Sequence, residues 1–180
     1  MSAEKKTRLE VQKIIKKVLE DGLSALGHND YAVMEFANAS FQNADRVVLM
    51  NLIGTKRVGW QGRDYFPYND TLVMRESWIE EQRWQIHCIK KRPASSSNIS
   101  LTAEDIADDL VTWFNGRGCE ELRTYGMASL RIDSDAVIVY NDNSDLYQKR
   151  AVFTVKIQVP KELKSGKSYL DTLVPKIMPV

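Results

Sequence analysis

Two cysteines, two histidines and no long apolar run set the first limits on this 180-residue chain. Cys88 and Cys119 lack the CxxC spacing of a thiolate metal site, and two cysteines cannot build the disulfide framework of a small secreted domain. His28 and His87 lie far apart, with no HxxxH or Cys-His spacing, so zinc ligation has no local signature. There is no Gly-x-Ser-x-Gly elbow, and neither cysteine has a histidine nearby in sequence to activate it. No cofactor or metal is expected, and the chain does not read as an enzyme. No uninterrupted apolar stretch approaches the roughly 20 residues of a membrane span. Met1-Ser2-Ala3-Glu4-Lys5-Lys6 leads into an amphipathic segment and not an apolar signal region. A soluble protein made in a reducing cytoplasm, with no membrane partner, is the expectation. One-sided charge is also missing. Lys plus Arg number 25 against 24 Asp plus Glu, so the net charge of +1 exerts no general pull on nucleic acid, and a charged partner must be met by a local patch. No internal repeat is visible, and the Asn-x-Ser/Thr triplets at Asn38, Asn69 and Asn98 read as chance matches.

What is present is periodicity. At this length the chain suits one domain with a substantial core. Val11, Ile14, Ile15, Val18, Leu19, Leu23 and Leu26 recur at helical spacing, with Lys13, Lys16, Lys17 and Glu20 on the remaining arc, predicting a first helix that ends near Gly27. Asp45 to Arg57 reads as a strand from its Val-Val-Leu-Met and Leu-Ile content. Gly54, Gly59 and Gly62 then punctuate the chain, predicting a bulge or turn. Trp60, Tyr65, Phe66 and Tyr68 crowd the segment that follows, which suits a protruding hairpin or loop. Glu76 to Arg92 alternates, with Trp84, Ile86 and Cys88 on one face and Arg83, Gln85 and His87 on the other, a long strand that can outrun the core beneath it. Pro93-Ala94-Ser95-Ser96-Ser97-Asn98 is a flexible connector. Thr102 with Asp105 forms a capping-box pattern, and Ile106, Leu110, Trp113 and Phe114 fall on one face of the second helix. In the last strand Phe153, Val155, Ile157 and Val159 point one way, opposite to Val152, Thr154, Lys156 and Gln158. Beyond Pro160 the pattern weakens. The expected fold is α+β, a mainly antiparallel sheet with two flanking helices, in one domain over 1–160 with a C-terminal extension over 161–180.

Several chemical patterns are better read as ordinary surface. Ser165-Gly166-Lys167-Ser168 ends like a phosphate-binding loop, but Lys161 stands where the first glycine is required and too little chain follows. Glu162-Leu163-Lys164 with Asp142 or Asp145 imitates the Asp…Glu-x-Lys set of metal-dependent nucleases, yet Pro160 and Gly166 flank it, favouring a solvated tail. Arg75 and Arg83 interrupt the acidic group Glu76, Glu80 and Glu81, which suits a charge-paired surface or subunit contact better than a cation site. Lys5, Lys6, Arg8, Lys13, Lys16 and Lys17 form a solvated helix arc more readily than a phosphate track. His28 is expected in the turn after the first helix and His87 on the solvent face of its strand.

The run from Leu101 to Val159 orders a capped helix, a Gly126-Met127-Ala128 turn into a strand, an Asn/Asp-rich turn, and a strand opened by Tyr147-Gln148-Lys149-Arg150-Ala151-Val152-Phe153. In that order it resembles the phage neck or tail terminator family, the tail completion proteins. The resemblance extends upstream to Asp45-Arg46-Val47-Val48-Leu49-Met50-Asn51 and to Trp84-Gln85-Ile86. It implies a structural virion protein of the tail and neck, assembled in the host cytoplasm as a homo-oligomeric ring, a hexamer. The ring would sit on the last tube ring, stop tube polymerisation and join the tail to the neck. Its implied partners are tail tube and sheath proteins and head–tail connector proteins, with DNA only passing through the lumen. Trp60, Tyr65, Phe66, Tyr68, Arg150 and Tyr169 are the candidate subunit or partner contacts, since aromatics and Arg anchor interfaces. Another head–tail connector protein is the near alternative. A small metal-dependent phage nuclease and an isolated nucleic-acid-binding module are alternatives of a different class.

Overall fold

The computed structural model describes residues 6–35, 46–68, 71–90, 102–132, 137–141 and 148–165. Three helices and six strands follow in the order α1 (Arg8–Ala25), β1 (Ala32–Glu35), β2 (Arg46–Tyr68), β3 (Thr71–Lys90), α2 (Ala103–Asn115), α3 (Arg117–Thr124), β4 (Ala128–Ser129), β5 (Val137–Asn141) and β6 (Gln148–Ser165). The expected α+β class is the observed one. Pro93–Asn98 lies outside the described residues.

Both long helices start on reciprocal caps. The Thr7 hydroxyl accepts from the Glu10 backbone N–H at 3.2 Å, while the Glu10 carboxylate accepts from the Thr7 N–H. Those hydrogen bonds to Thr7 hold the Glu10 carboxyl below its ordinary pKa. Thr102 and Asp105 repeat the arrangement on α2. The predicted helical stripe then reaches the core, with Val11, Ile15, Val18 and Leu19 of α1 and Leu110 of α2 fully buried and Ile106 and Phe114 at 1% exposure. The helix α3 was not anticipated. Gly116 and Gly118 break the pattern, and Gly116 ends α2 and caps α3 in one step. Trp113 explains the glycines on either side of it. Its indole lies against both α1 and α3, so a Cβ at Gly22 would come within 2.8 Å of the ring and one at Gly118 within 2.9 Å.

The sheet runs β1-β2-β3-β6-β4, with β5 also on β6. The β1–β2 pair is parallel; β2–β3, β3–β6, β4–β6 and β5–β6 are antiparallel. On the helix-covered face, Val48 and Met50, Trp84, Ile86 and Cys88, and Ala151 through Val159 at every second residue join the helices in the main core. Phe114 and Phe153 meet across that layer at 6.4 Å and 60°, a tilted aromatic pair. The opposite face carries a smaller buried cluster of Val47, Leu49 and Ile89, against which Met34 packs. Two-sided burial corrects the expectation for His87. It is largely withdrawn from solvent, one register step from Ile89, instead of lying on an open face.

Replacing Gly22 by Ala improves intrinsic helix propensity by about 1 kcal/mol but drives a methyl into the Trp113 ring. The clash is expected to win, lowering stability by about 1–3 kcal/mol in urea unfolding. Unchanged or raised stability would show that Trp113 moves freely.

Candidate functional site

Strands β2, β3 and β6 are longer than the helix layer beneath them. Along β6 the main core ends at Val159, whose register partner is Glu80 of β3. Beyond that row β3 continues to Thr71, about 30 Å further at roughly 3.3 Å per residue. It keeps β2 on one edge and, as far as Met74, β6 on the other. The result is a three-stranded arm with no helix across it among the described residues. The Gly-punctuated aromatic segment is therefore the outer half of a long hairpin, as the hairpin expectation had it, and residues Lys161 to Ser165 extend β6 where the sequence pattern had weakened. Proline is tolerated at position 160 because, among the described residues, β6 has a partner there on one side only.

The arm turns on an irregularity. Between Val58 and Gly62 the β2 register slips against β3, and Gly59 takes φ +77°, a left-handed value that favours glycine. Below the slip the Arg57 guanidinium sits 4.5 Å over the Trp78 ring. Above it, cross-strand ion pairs hold the strands on both faces: Arg63 to Glu76 at 2.6 Å and Arg75 to Asp64 at 2.7 Å, with Arg75 also 5.7 Å from the Phe66 ring centroid. Closer to the core, Lys56 pairs with Glu81 at 3.2 Å and Lys161 lies 3.9 Å from Glu80. The acidic group Glu76, Glu80 and Glu81 is thus neutralised strand by strand, and among the described residues no group of three or more His, Cys, Asp or Glu is placed to hold a metal ion. Lys161 also donates to the Lys6 carbonyl at 2.7 Å, anchoring the root of the arm to the lead-in of α1.

Internally paired charge leaves apolar side chains unused. Tyr65 is 57% exposed, Leu163 44% and Ile79 41%. Tyr65 and Leu163 leave from the helix side of the sheet, Ile79 from the other. Of the residues the sequence singled out, Tyr65 and Phe66 lie on the arm, Phe66 half-buried. Trp60 falls inside the register slip and Tyr68 closes β2; their backbones are placed, while their side chains lie outside the described residues. Arg150 does not join them. It pairs with Ile89 at the far end of β6, roughly 50 Å along the strand from the row of Tyr65. Tyr169, Asp142 and Asp145 lie outside the described residues. Sequence reasoning missed Leu163 and Ile79. The signal for Leu163 was present, since the Phe153 to Val159 alternation continues in phase through Lys161 to Leu163.

Elsewhere the polar chemistry is local. A cavity of about 230 Å³ lies between the turn after α1, the start of β2 and the end of β3. It is smaller than the roughly 300–1,000 Å³ of ligand sites. Its charges are engaged, Arg46 with Asp30 and His28 with Asp109 at 3.0 Å, a bond that ties the turn after α1 to α2. Burial pushes the Tyr31 hydroxyl up to about 12 and raises the Cys88 thiol as well, so neither ionises near neutrality.

The match to known proteins covers the helix layer and the arm alike. A family profile described as E217 gateway protein gp29 matches residues 10–167. The chain belongs to this phage head–tail gateway family. No curated protein matches it. The family is structural and of the phage neck and connector class, which agrees with the neck resemblance in the sequence at the level of class. The matched span runs from α1 to just past β6 and so includes the arm. No helix among the described residues is long and apolar enough to cross a membrane.

His87 gives the far end of this sheet a pH dependence. Burial, then the nearby Arg150 charge, lowers its pKa from 6.5 to about 4. Between those values the unfolded chain binds a proton that the folded one does not, so stability falls as pH drops from 6.5 toward 4. His87→Gln is expected to flatten that slope in urea unfolding while changing little at pH 7. An unaltered slope would place the dependence on other groups.

Proposed function

We propose that this gateway-family protein forms a ring at the head-proximal end of the phage tail, ends tube polymerisation there and joins the tail to the neck. The observation that carries the reading is the arm. It is a sheet extension held by its own ion pairs, uncovered by helices among the described residues, and it presents Tyr65, Leu163 and Ile79 to solvent. A monomer has little use for about 30 Å of uncovered sheet. A subunit that must grip a neighbour or the last tube ring does, because exposed strand edges and aromatic anchors are standard means of binding another chain. A closed ring requires that different surfaces of adjacent copies meet, and an arm projecting from one end of the domain supplies one of them.

The mechanism is steric and interfacial. A ring on the tube covers the surface on which the next tube ring would add, and offers the neck a different surface. Tyr65, Phe66 and the segment from Lys161 onward, with Trp60, Tyr68 and Tyr169, are the proposed contacts to neighbours or tube, and Arg150 is a proposed contact at the opposite end. A connector on the head side of the neck is the near alternative, and the same experiment separates them. A stop codon early in this gene is expected to yield abnormally long tails, or tails detached from DNA-filled heads, in electron micrographs of the lysate. Normal tails with empty heads would instead indicate a head-side connector, and normal joined virions would sink both. Tyr65→Ala with Leu163→Ala is expected to change the stability of the purified protein by less than about 0.5 kcal/mol, as exposed sites do. The same pair is expected to fail in complementing the stop-codon phage, and full complementation would remove the arm from assembly.

A further inference from the structure

Among the described residues, two cations on the face of the sheet away from the helices have no partner. Arg83 of β3 and Lys156 of β6 are register partners, so their side chains leave adjacent strands side by side, and both are exposed. Like charges directly opposite one another are destabilising. The neighbouring Lys56 is relieved by Glu81 at 3.2 Å, whereas Arg83 and Lys156 form no ion pair among the described residues. The Arg83 guanidinium lies over Gly54, where a Cβ would come within 3.1 Å of it, beside the register slip between Leu52 and Gly54.

The complement sits on the other side of the molecule. The apolar stripe of α2 faces the sheet, leaving Asp105, Asp108 and Asp109 on its outer arc with Glu104 half-buried at the margin, and the helix contains no Lys or Arg. Asp105 serves the cap and Asp109 bonds His28, but Asp108 is exposed and has no partner among the described residues. Glu104 with Asp108 and Asp105 with Asp109 are like charges four apart, which weakens an isolated helix. Because α2 covers the side of β3 and β6 that carries Trp84 and Val155, and Arg83 and Lys156 leave from the other side, the acidic arc and the basic pair lie on opposite sides of one sheet.

We propose that they are two halves of one subunit contact: the acidic outer arc of α2 on one copy seats on Arg83 and Lys156 of the next. This rests on the ring reading above and adds a second contact between its subunits to that of the arm. A contact between different surfaces on opposite sides of a protomer is heterologous, and it propagates from copy to copy until rotation closes the ring. The spacings are compatible. Adjacent strands place partner residues about 5 Å apart, and residues four apart on a helix rise about 6 Å. Duplex DNA is the other polyanion that could meet the basic pair. It is disfavoured, because it leaves the acidic arc without a role.

The test is complementation of a stop-codon phage by plasmid-borne variants, read as plating efficiency. Arg83→Glu with Lys156→Glu is expected to lower plating by about 100-fold, as placing like charge across an interface does. Asp108→Lys with Thr112→Lys, both exposed sites, is expected to do the same. All four substitutions together restore the opposite-charge pairing and are expected to recover most of the loss. Melting temperatures of the purified variants verify folding, and Arg83→Gln with Lys156→Gln replaces the first pair if reversal unfolds the protein. Normal plating by either reversal overturns the proposal. Loss in both without recovery in the combination also overturns it, and retention of labelled duplex DNA by the unsubstituted protein but not by Arg83→Glu with Lys156→Glu would then assign the basic pair to phosphates. A stop-codon phage that plates without complementation defeats the ring reading itself before any variant is scored.

Discussion

Everything in this molecule depends on β3 being held on both edges. From Met74 to Ile89 it pairs with β6, and on its other edge with β2 from its first residue to its last. A hairpin on its own is marginal in water, and a third strand or a packed helix is what makes it persist. Here the third strand lets the sheet run past its helices. The helix layer needs only the inner part of those strands to bury Trp84, Ile86, Phe153 and Val155. The outer part is supported by the ladder itself and by cross-strand ion pairs. A core that leaves part of its sheet unused therefore frees strand for contact with something else.

Charge is used in two ways along that ladder. On the arm Asp64 and Glu76 each meet a cation on the neighbouring strand, which fixes register and keeps long edges from pairing promiscuously. Exposed pairs of this kind add little stability. Among the described residues Arg83 and Lys156 on the far side of the sheet and Asp108 on the outside of α2 stand outside that pairing. Within a chain whose net charge is +1, local segregation of this sort is a surface property that the total conceals.

Much of the inner fold could be read from the sequence because local and tertiary demands agree there. Thr7 with Glu10 and Thr102 with Asp105 cap the helices in which they occur, and the Phe153 to Val159 alternation is the buried face. Signals failed where they were short or broken. β1 is four residues and gains its identity only by lying parallel to β2. α3 is eight residues and begins between Gly116 and Gly118, residues that weaken a helical pattern, although Gly118 serves to admit the Trp113 ring. The arm was legible as a protruding aromatic hairpin or loop but not in its length as strand, because its glycines serve a register slip and Pro160 sits where β6 can spare a donor. His87 misled for another reason: one strand's alternation cannot reveal that the opposite face of the sheet carries its own buried cluster. Of the candidate contacts, Tyr65 and Phe66 share the arm, while Arg150 belongs to the other end of the sheet, a separation visible only once β6 is seen as one continuous strand.

On the function proposed above, the arm is an assembly surface in the phage neck. A reconstruction of the neck in intact virions by electron cryomicroscopy tests it most directly. The expected result is this chain as a closed ring at the head-proximal end of the tail, with Tyr65 and Leu163 buried against a neighbouring subunit or the tube. The chain found elsewhere in the virion, or in the neck with the arm standing in solvent, would contradict it.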